Sequence, residues 1–306
     1  MFENSQFGII LNPEAGRGRA RHLLKSLIDC LRRKGVTFQL ERTNAPGHAK
    51  DIALRMRNNY EIIIAAGGDG TVNEVTAGII DSKTSLAVLP IGSGNDFNKV
   101  IGIPKKINQA IDTILSGKKK LFDLGQISFW NSLGEKKKCH FVNTLGIGLD
   151  AEIANETKKI KLLRGLPLYL LAAIKAVSKH SPNEYKLIES KRTWFEKAFL
   201  ICIGNGSFEG GGFKLLPAAL PDDSQLDICL IKHMPIMKAL RLVPHLLKGT
   251  HAGKNDISVW RSKRISIESE RPFVIHGDGE ILAENAVKAD IELAGEKVNV
   301  IIPKTD

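Results

Sequence analysis

Apolar residues follow one pattern up to about residue 124 and another pattern beyond it. In the first part, short apolar runs alternate with stretches in which Leu and Ile recur at helical spacing. The runs lack polar alternation, which is typical of strands buried on both faces. This order predicts a parallel sheet covered by helices. The predicted strands are Phe7–Leu11, Val36–Leu40, Glu61–Ala66 and Leu86–Leu89, and the predicted helices are Leu23–Leu31, His48–Asn58, Thr71–Ile80 and Ile107–Leu115.

The second part consists of strand-like segments separated by Gly, Pro and Asp turns. Such a succession is typical of a mostly antiparallel β domain. Two helical stretches interrupt it, at Lys158–Lys179 and Ile236–Lys248. We place the boundary between the two parts near Leu124–Gly125. The predicted strands are His140–Leu145, Trp194–Ile203, Leu226–Ile231, Asp256–Ile267 and Phe273–His276.

The composition is that of a globular protein with a basic excess. Of 306 residues, 43% are apolar and 25% are charged, and the net charge is +11. Wholesale disorder and a fibrous repeat are excluded. The longest apolar run, Leu166–Ile174, is too short to cross a bilayer. The excess of Lys and Arg favours an anionic partner, which composition alone leaves open among nucleic acid, nucleotide phosphates and an acidic membrane.

Cysteine usage and the first residues indicate the compartment. The four cysteines lie far apart, which argues against a disulfide framework or a zinc site. Glu3 stands where a signal peptide has its basic region. We therefore expect a cytoplasmic protein with reduced thiols.

The most informative segment is the glycine-rich turn Gly67–Glu74, which follows a predicted buried strand. Glycines let the backbone approach a ligand closely, and the N–H groups at the start of a helix suit a phosphate. Thr71 and Glu74 have the spacing of a capping box, which marks the start of the next helix. Asp69 would repel a bare phosphate, and a Mg²⁺ ion between the two would resolve that conflict.

Two further glycine-bearing turns are expected at the same edge of the sheet. They are Asn12–Arg19, after the first strand, and Pro90–Phe97, after the fourth. Ligands of open α/β sheets bind at the carboxyl ends of the strands, so we expect a phosphate site there. No Walker A loop is present, because the Lys-Ser/Thr pair is missing. Arg17 or Arg19 could reach a phosphate in place of that lysine.

These glycine motifs resemble those of the diacylglycerol kinase catalytic-domain family. Gly67–Glu74 is similar to its signature, Asn12–Gly18 to its opening turn, and Gly92–Phe97 to its second glycine motif. The segments from Gly204 to Asp227 resemble the part that holds a structural metal, and His276–Glu280 resembles a late Asp-Gly-Glu motif. The matches run in order through nearly the whole chain, and its size suits the small bacterial branch of YegS/BmrU-like and sphingosine-kinase-like lipid kinases.

The resemblance implies two domains and an activity. Residues 1–124 would form an ATP-binding α/β domain with the parallel sheet of NAD kinase and diacylglycerol kinase, and residues 296–306 would return to it. Residues 125–295 would form an antiparallel β-sandwich for the lipid substrate. The implied reaction is Mg²⁺-dependent transfer of the ATP γ-phosphoryl group to a lipid hydroxyl, at an active site between the domains. A cytoplasmic enzyme of phospholipid biosynthesis, in transient contact with an anionic membrane surface, would follow.

The resemblance also implies roles for individual residues. Glu280 matches the general base. The acids that would organise a catalytic Mg²⁺ and its waters are Asp69, Asp96 and Asp123. The implied nucleotide contacts are Asn12, Arg17, Thr43, Gly67, Gly68, Asp69, Gly70, Thr71, Val72, Asn73 and Ser93. The implied ligands of a second, structural Mg²⁺ are Leu220 through its carbonyl, Asp223 and Gln225.

One position departs from the family pattern. Relatives usually carry glycine where this chain has Ser224, in Asp222-Asp223-Ser224-Gln225-Leu226-Asp227. That glycine often has a positive φ, which other residues adopt only occasionally. Ser224 would therefore have to adopt a backbone conformation that is unusual for a residue other than glycine.

Several residues also have plain structural interpretations. Asp278-Gly279 suits a tight hairpin turn without any catalytic role, and Asp123 could lie at the end of a strand. The acids from Asp222 to Asp227 could form a simple turn. The basic, apolar segment Lys158–Lys179 could lie on a membrane or pack on the sandwich with a solvated end. Lysine runs such as Lys136–Lys138 are usually solvated.

Three functions remain open on the residues alone. The first is a lipid kinase. The second is NAD kinase-like phosphorylation of a soluble acceptor, because those enzymes share a Gly-Gly-Asp-Gly-Thr loop, although Asn12-Pro13 and Pro217–Asp227 speak against it. The third is a non-catalytic nucleotide sensor or nucleic-acid binder, although no nucleic-acid module is recognised. The acceptor lipid and the oligomeric state, including a homodimer, are not determined by the sequence.

Overall fold

The fold was analysed in a computed structural model, which describes residues 7–160, 163, 166–179 and 182–304. These residues divide into two compact units. The first unit takes its residues from Met1–Phe122 and Glu296–Asp306, and the second is Asp123–Gly295. Within the described ranges, no helix is both long and apolar enough to span a membrane.

The first unit has a parallel sheet with helices in its connections. Its strands are β1 (Phe7–Leu11), β2 (Phe38–Arg42), β3 (Ile62–Gly67) and β4 (Ser85–Pro90). Its helices are α1 (Arg19–Arg33), α2 (His48–Met56), α3 (Asp69–Ile79), α4 (Asp96–Ile101) and α5 (Ile107–Ser116). The order is β2-β1-β3-β4, and all three pairings are parallel.

The centre of this sheet is buried on both faces. Every residue of β1, β3 and β4 is buried, as their unbroken apolar runs predict. The edge strand β2 alternates between exposed and half-buried residues. The end of the last strand of the chain extends this sheet, because Val300 pairs in parallel with Leu86. Because β2, β1, β3 and β4 are parallel, the loops that follow these four strands lie at the same edge of the sheet.

The second unit is an antiparallel β structure with three helices. Its strands are β5 (Lys118–Asn131), β6 (Lys136–Phe141), β7 (Thr144–Gly148), β8 (Asn183–Glu189), β9 (Arg192–Gly204), β10 (Leu226–Lys232), β11 (Ile257–Ser262), β12 (Arg264–Gly277) and β13 (Glu280–Ile302). The first residues of β5 and the last residues of β13 belong to the first unit. The helices of the second unit are α6 (Leu149–Lys159), α7 (Leu166–Lys179) and α8 (Ile236–Lys248). The main path is β11-β10-β9-β7-β12-β13, while β5 pairs with β6 and β8 pairs with β9 and β12.

Two predicted strands are each divided in the structure. His140–Leu145 is not one strand, because the backbone bends at Val142 and Asn143 between β6 and β7. Asp256–Ile267 is likewise divided at Lys263 between β11 and β12. Both breaks fall at polar residues, Asn143 and Lys263, within segments that are otherwise rich in strand-forming residues.

The predicted helix Lys158–Lys179 is also wrong as a single element. Helix α6 begins at Leu149 and ends at Lys159, and α7 begins at Leu166. The two helices are joined through Ile160, whose backbone is extended. The basic residues Lys161 and Arg164 lie outside the described residues.

Candidate functional site

Three glycine-bearing loops meet at the carboxyl edge of the parallel sheet. They follow β1, β3 and β4, as the sequence predicts. Backbone hydrogen bonds join them: the Asn12 N–H donates to the Ala66 carbonyl at 3.0 Å, and the Ile91 and Gly92 N–H groups donate to the Gly67 carbonyl at 2.9 and 3.0 Å. The loops therefore form one connected backbone framework.

Glycine is required where these loops touch. A Cβ on Gly92 would lie 2.4 Å from Gly68 Cα, and a Cβ on Gly16 would lie 2.4 Å from the Ile91 carbonyl oxygen. Gly16 also has a φ of +62°, which favours glycine. No larger residue fits these contacts without moving the backbone, so the close approach of the loops is specified by residue type.

Helix α3 begins two residues earlier than its predicted start. Its N-cap is Gly68, which is extended and has no side chain to cover the first N–H groups. The capping-box prediction is therefore wrong. Thr71 instead accepts a hydrogen bond from Asn12 Nδ2 at 3.1 Å, and Glu74 accepts the N–H groups of Gly47 and Ala49 at 2.7 and 3.0 Å. Glu74 thus caps α2 rather than its own helix.

Two of the predicted catalytic acids lie in this framework. The Asp69 carboxylate accepts the Phe97 N–H at 3.0 Å, so it reaches the start of α4. Asp96, the neighbouring residue, is buried and pairs with Lys99 Nζ at 2.6 Å. The structure thereby brings Asp69 to the loop that carries Asp96.

The other predicted nucleotide-binding residues of the first unit differ in their exposure and in their hydrogen bonds. Arg17 and Ser93 are exposed, and Arg17 has a positive φ of 59°. Thr43 is buried at the end of β2, where its N–H donates to the Leu11 carbonyl at 2.9 Å. Val72 is buried, and its N–H donates to the Gly68 carbonyl at 3.0 Å. This N–H is therefore already bonded within the protein and is not directed at a phosphate. Asn73 is half-buried on the helix.

In the second unit, Asp278 shapes the turn that presents Glu280. The Asp278 carboxylate is buried and accepts three backbone N–H groups, from Val142 at 2.7 Å and from Asn143 and Thr144 at 3.0 Å each. Asp278 and Gly279 have φ values of 46° and 90°, and Gly277 pairs with Glu280. The tight hairpin turn that these residues suit is therefore present.

Glu280 itself is exposed at the first position of β13. The three amides bound by Asp278 belong to the bend between β6 and β7, which explains why His140–Leu145 is not one strand. The role of Asn143 and Thr144 was not predicted from the sequence. The available signal was weak: a single polar Asn-Thr pair inside an apolar segment.

Asp123 is buried in a network of its own within the second unit. Its carboxylate accepts the Ser224 N–H at 2.7 Å, and its carbonyl accepts Asn205 Nδ2 at 3.0 Å. Asn205 in turn donates its N–H to the Asn143 carbonyl at 2.9 Å. Asp123 is therefore not a surface residue at a strand end, and it orders the loop that carries the predicted structural metal ligands.

The guanidinium group of Arg261 lies beside the acids of the predicted metal loop. Ser224 adopts a φ of 58°, the conformation for which relatives use glycine. Asp223 accepts the Gln225 N–H at 3.1 Å and lies 3.6 Å from the Arg261 guanidinium. Arg261 also lies 3.3 Å from Asp227 and donates to the Ala218 carbonyl at 2.9 Å. The guanidinium thus neutralises the acids of this loop.

The chemistry of the predicted ligands suits Mg²⁺, which binds oxygen. Leu220 would supply a carbonyl, and its side chain is 54% exposed. Among the residues that the structure describes, no three His, Cys, Asp or Glu side chains are grouped for a metal. An ion at Leu220, Asp223 and Gln225 therefore stays a prediction, and it would share Asp223 with Arg261.

We expect Arg261→Gln to destabilise the second unit by about 1–3 kcal/mol, below the ~3–5 kcal/mol of a fully buried pair because Arg261 is half-exposed. Burial raises the pKa of Asp227 and Arg261 opposes that rise. Removing Arg261 raises the pKa of Asp227 further. The loss of stability in Arg261→Gln is therefore greatest at neutral pH, where Asp227 is ionised, and becomes smaller as the pH falls toward this raised pKa.

Thermal melting against pH measures this effect, with the exposed Arg264→Gln as control. Equal melting of Arg261→Gln and the unmodified chain at neutral pH would contradict it. Mg²⁺ added in parallel tests the predicted ion, because a bound ion should restore the charge that the variant lacks.

The second unit also contains an apolar cavity of about 90 Å³. Its walls come from α6, α7, α8 and strands β9 and β10. A carboxylate also lines it, from Glu209, which is buried and lies 3.3 Å from His276 Nδ1. The apolar residues that line it include Leu149, Phe199, Leu200, Phe213, Leu215, Leu242 and Leu246.

Two family models cover most of the chain. Residues 6–127 match the diacylglycerol kinase catalytic domain. Residues 143–302 match the YegS C-terminal NAD kinase beta sandwich-like domain. The first match ends within β5, a few residues after the division between the two units, and the second begins between β6 and β7.

Full-length relatives support the same assignment. A "Diacylglycerol kinase" of Bacillus subtilis (strain 168) is 28% identical over 280 residues, which cover 89% of this chain and 88% of the relative. A "Probable lipid kinase YegS-like" of Yersinia enterocolitica is 30% identical over 292 residues, covering 92% and 93%. A crystal structure of a Bacillus anthracis str. Sterne protein, assigned to the diacylglycerol kinases, has a TM-score of 0.77 at 26% identity and covers 97% of both chains.

Proposed function

The chain belongs to the diacylglycerol kinase catalytic-domain family, among the bacterial YegS-like lipid kinases, and from this membership we propose that it transfers the γ-phosphoryl group of ATP to a lipid hydroxyl. Diacylglycerol is the acceptor that we propose first, because relatives carry that name. The proposed setting is the cytoplasmic side of an anionic membrane, in phospholipid biosynthesis.

The connected glycine framework of the first unit supports ATP as the donor. Its three loops bring backbone within reach of a polyphosphate, and α3 starts at a glycine with no side-chain cap. Uncapped N–H groups at a helix start attract phosphate oxygens. Arg17 is exposed on one of these loops and would supply the positive charge that a P-loop lysine supplies elsewhere.

Asp69 and Asp96 support a role for Mg²⁺. Mg²⁺ is commonly bound through one or two carboxylates together with substrate phosphates, so these two acids suffice without a third protein ligand. When bound, the ion would neutralise phosphate charge during transfer. The protein's own part is to fix the carboxylates: the Phe97 N–H orients Asp69, and Lys99 orients Asp96.

Glu280 is the residue that we propose as general base. A base must present a carboxylate to the acceptor hydroxyl, and Glu280 is exposed next to a turn that Asp278 fixes through three hydrogen bonds. The apolar cavity of the second unit, at about 90 Å³, would admit only the end of an acyl chain of the acceptor. Both features belong to the unit that the resemblance assigns to the lipid.

The first test is transfer of label from γ-labelled ATP to diacylglycerol in detergent micelles. We expect Asp69→Asn to lower kcat/KM by about 10²-fold or more, because charge stabilisation of the transferred group is lost. Asp51→Asn is the matched control, since Asp51 is exposed on α2. Unchanged turnover in Asp69→Asn would contradict the mechanism. Formation of NADP⁺ from NAD⁺ without lipid phosphorylation would favour the NAD kinase-like alternative.

A further inference from the structure

The β5–β6 hairpin presents an exposed leucine on a rigid tip. Leu133 is 81% exposed, more than any other large apolar residue among those described. The Asn131 side chain accepts the N–H groups of Leu133 and Glu135 at 3.0 and 2.9 Å, and it donates to the Glu135 carboxylate at 2.7 Å. The tip is therefore held in one conformation, and the exposed leucine is not needed for its folding.

The hairpin also carries an aromatic and basic face. Trp130 pairs with Lys136, whose Nζ lies 4.9 Å from the centre of the indole ring. Lys138 lies two residues further along the same face, because side chains alternate along a strand. Both lysines are exposed. A half-buried tryptophan beside exposed lysines and an apolar tip is the combination that suits a membrane–water interface with anionic headgroups.

The position of this hairpin within the second unit connects it to the proposed chemistry. The buried Phe129 and the exposed Lys137, which pair across the hairpin, line a groove of about 540 Å³ together with Ile281, Leu282 and Ala283 of β13. Glu280, the proposed base, directly precedes those β13 residues. A lipid surface that meets the hairpin would consequently lie beside the strand that begins with the base.

We propose that the β5–β6 hairpin is the docking surface for an anionic lipid bilayer. Leu133 enters the headgroup region, Trp130 lies at the interface, and Lys136 and Lys138 bind anionic headgroups. This inference rests on the proposed function, because docking on the bilayer would bring the enzyme to the membrane that contains its lipid acceptor. Lysine runs such as Lys136–Lys138 are usually only solvated, whereas in this proposal the run contacts anionic lipid headgroups.

A second hairpin provides a matched control. The β8–β9 hairpin also pairs a cation with tryptophan, with Arg192 4.8 Å from the Trp194 ring, and Phe195 nearby is 64% exposed. Its surroundings are mixed in charge, because Glu189 and Glu196 accompany Lys191 and Arg192. The β5–β6 hairpin has three consecutive lysines against one acid, Glu135, whose carboxylate is bound by Asn131, so the charge favours this hairpin.

The experiment is cosedimentation of the full chain, without nucleotide, with vesicles of phosphatidylcholine alone or mixed with phosphatidylglycerol. We expect binding only to the mixed vesicles. Leu133→Asp, and separately Lys136→Glu with Lys138→Glu, should each lower the partition coefficient about tenfold or more. Lys191→Glu with Arg192→Glu makes the same charge change on the other hairpin and should have little effect. Melting temperatures should stay unchanged, since all altered side chains are exposed.

Other results would overturn the docking surface. These are unchanged vesicle binding in both β5–β6 variants, an equal loss in the β8–β9 variant, or binding of RNA with no binding of vesicles. Phosphorylation of diacylglycerol in detergent micelles is a separate readout. Its absence from every variant and the unmodified chain contradicts the proposed function, while the vesicle result still decides the surface.

Discussion

Glu280→Gln is expected to lower kcat for lipid phosphorylation by about 10²–10⁴-fold, the usual contribution of a general base. The change removes the proton acceptor while it preserves size and hydrogen-bonding shape. Glu280 is exposed, so folding should not change. ATP binding should also be unchanged, because the proposed nucleotide contacts belong to the first unit. Steady-state kinetics with detergent-solubilised diacylglycerol, together with calorimetric ATP binding, measure both quantities.

Glu270→Gln is the control for this substitution, because Glu270 is an exposed acid on β12 of the same unit. Asp278 is unsuitable as a catalytic control, since its buried carboxylate accepts three backbone amides and its loss would disturb the turn itself. If Glu280→Gln retains its kcat, then the carboxylate is not the base, and the Asp-Gly-Glu segment is a hairpin turn only.

Gly92→Ala is expected to disturb the glycine framework that we propose to bind the nucleotide. The new Cβ would lie 2.4 Å from Gly68 Cα and 2.7 Å from Asn95 Oδ1, so the backbone of one loop must move. Overpacking of this kind costs about 1–3 kcal/mol of stability. A shift of about 1 Å at a phosphate loop lowers kcat/KM by about 10²-fold. Thermal melting and ATP titration measure the two effects.

Gly295→Ala is the matched control, because a Cβ at Gly295 meets no atom within 4 Å and its backbone is not left-handed. It should melt and bind ATP like the unmodified chain. Gly92→Ala with normal ATP affinity would show that the close approach of Gly68 and Gly92 is not needed for nucleotide binding.

The identity of the family was readable from the sequence because its motifs are local. Each glycine turn is a short contiguous segment, and the strand before it is an unbroken apolar run. The family resemblance drawn from Gly67–Glu74 and the other motifs is confirmed by matches over residues 6–127 and 143–302. Helix α8 was likewise predicted at its observed bounds, Ile236–Lys248, because its apolar residues recur regularly.

Predictions that required a partner for a polar side chain were less successful. Glu74 matched a capping box by spacing, yet it caps α2, whose N-cap Gly47 lies 27 residues earlier in the chain. The acids Asp223 and Asp227 suggested a cation, and the nearest positive charge is Arg261, supplied from β11. Spacing identifies which side chains can form such bonds, but several partners satisfy the same chemistry.

The sequence by itself determined the alternation of strands and helices in the first unit, the glycine turns and the family, since each depends on neighbours within a few residues. Tertiary structure alone decided that Gly68 and Gly92 touch, that Asp278 bonds the bend at Asn143, and that Arg261 faces the metal loop. The physical reason is that a buried polar group must be satisfied by whichever atoms folding brings beside it. Those atoms are chosen by the packing of whole elements, which local sequence does not encode.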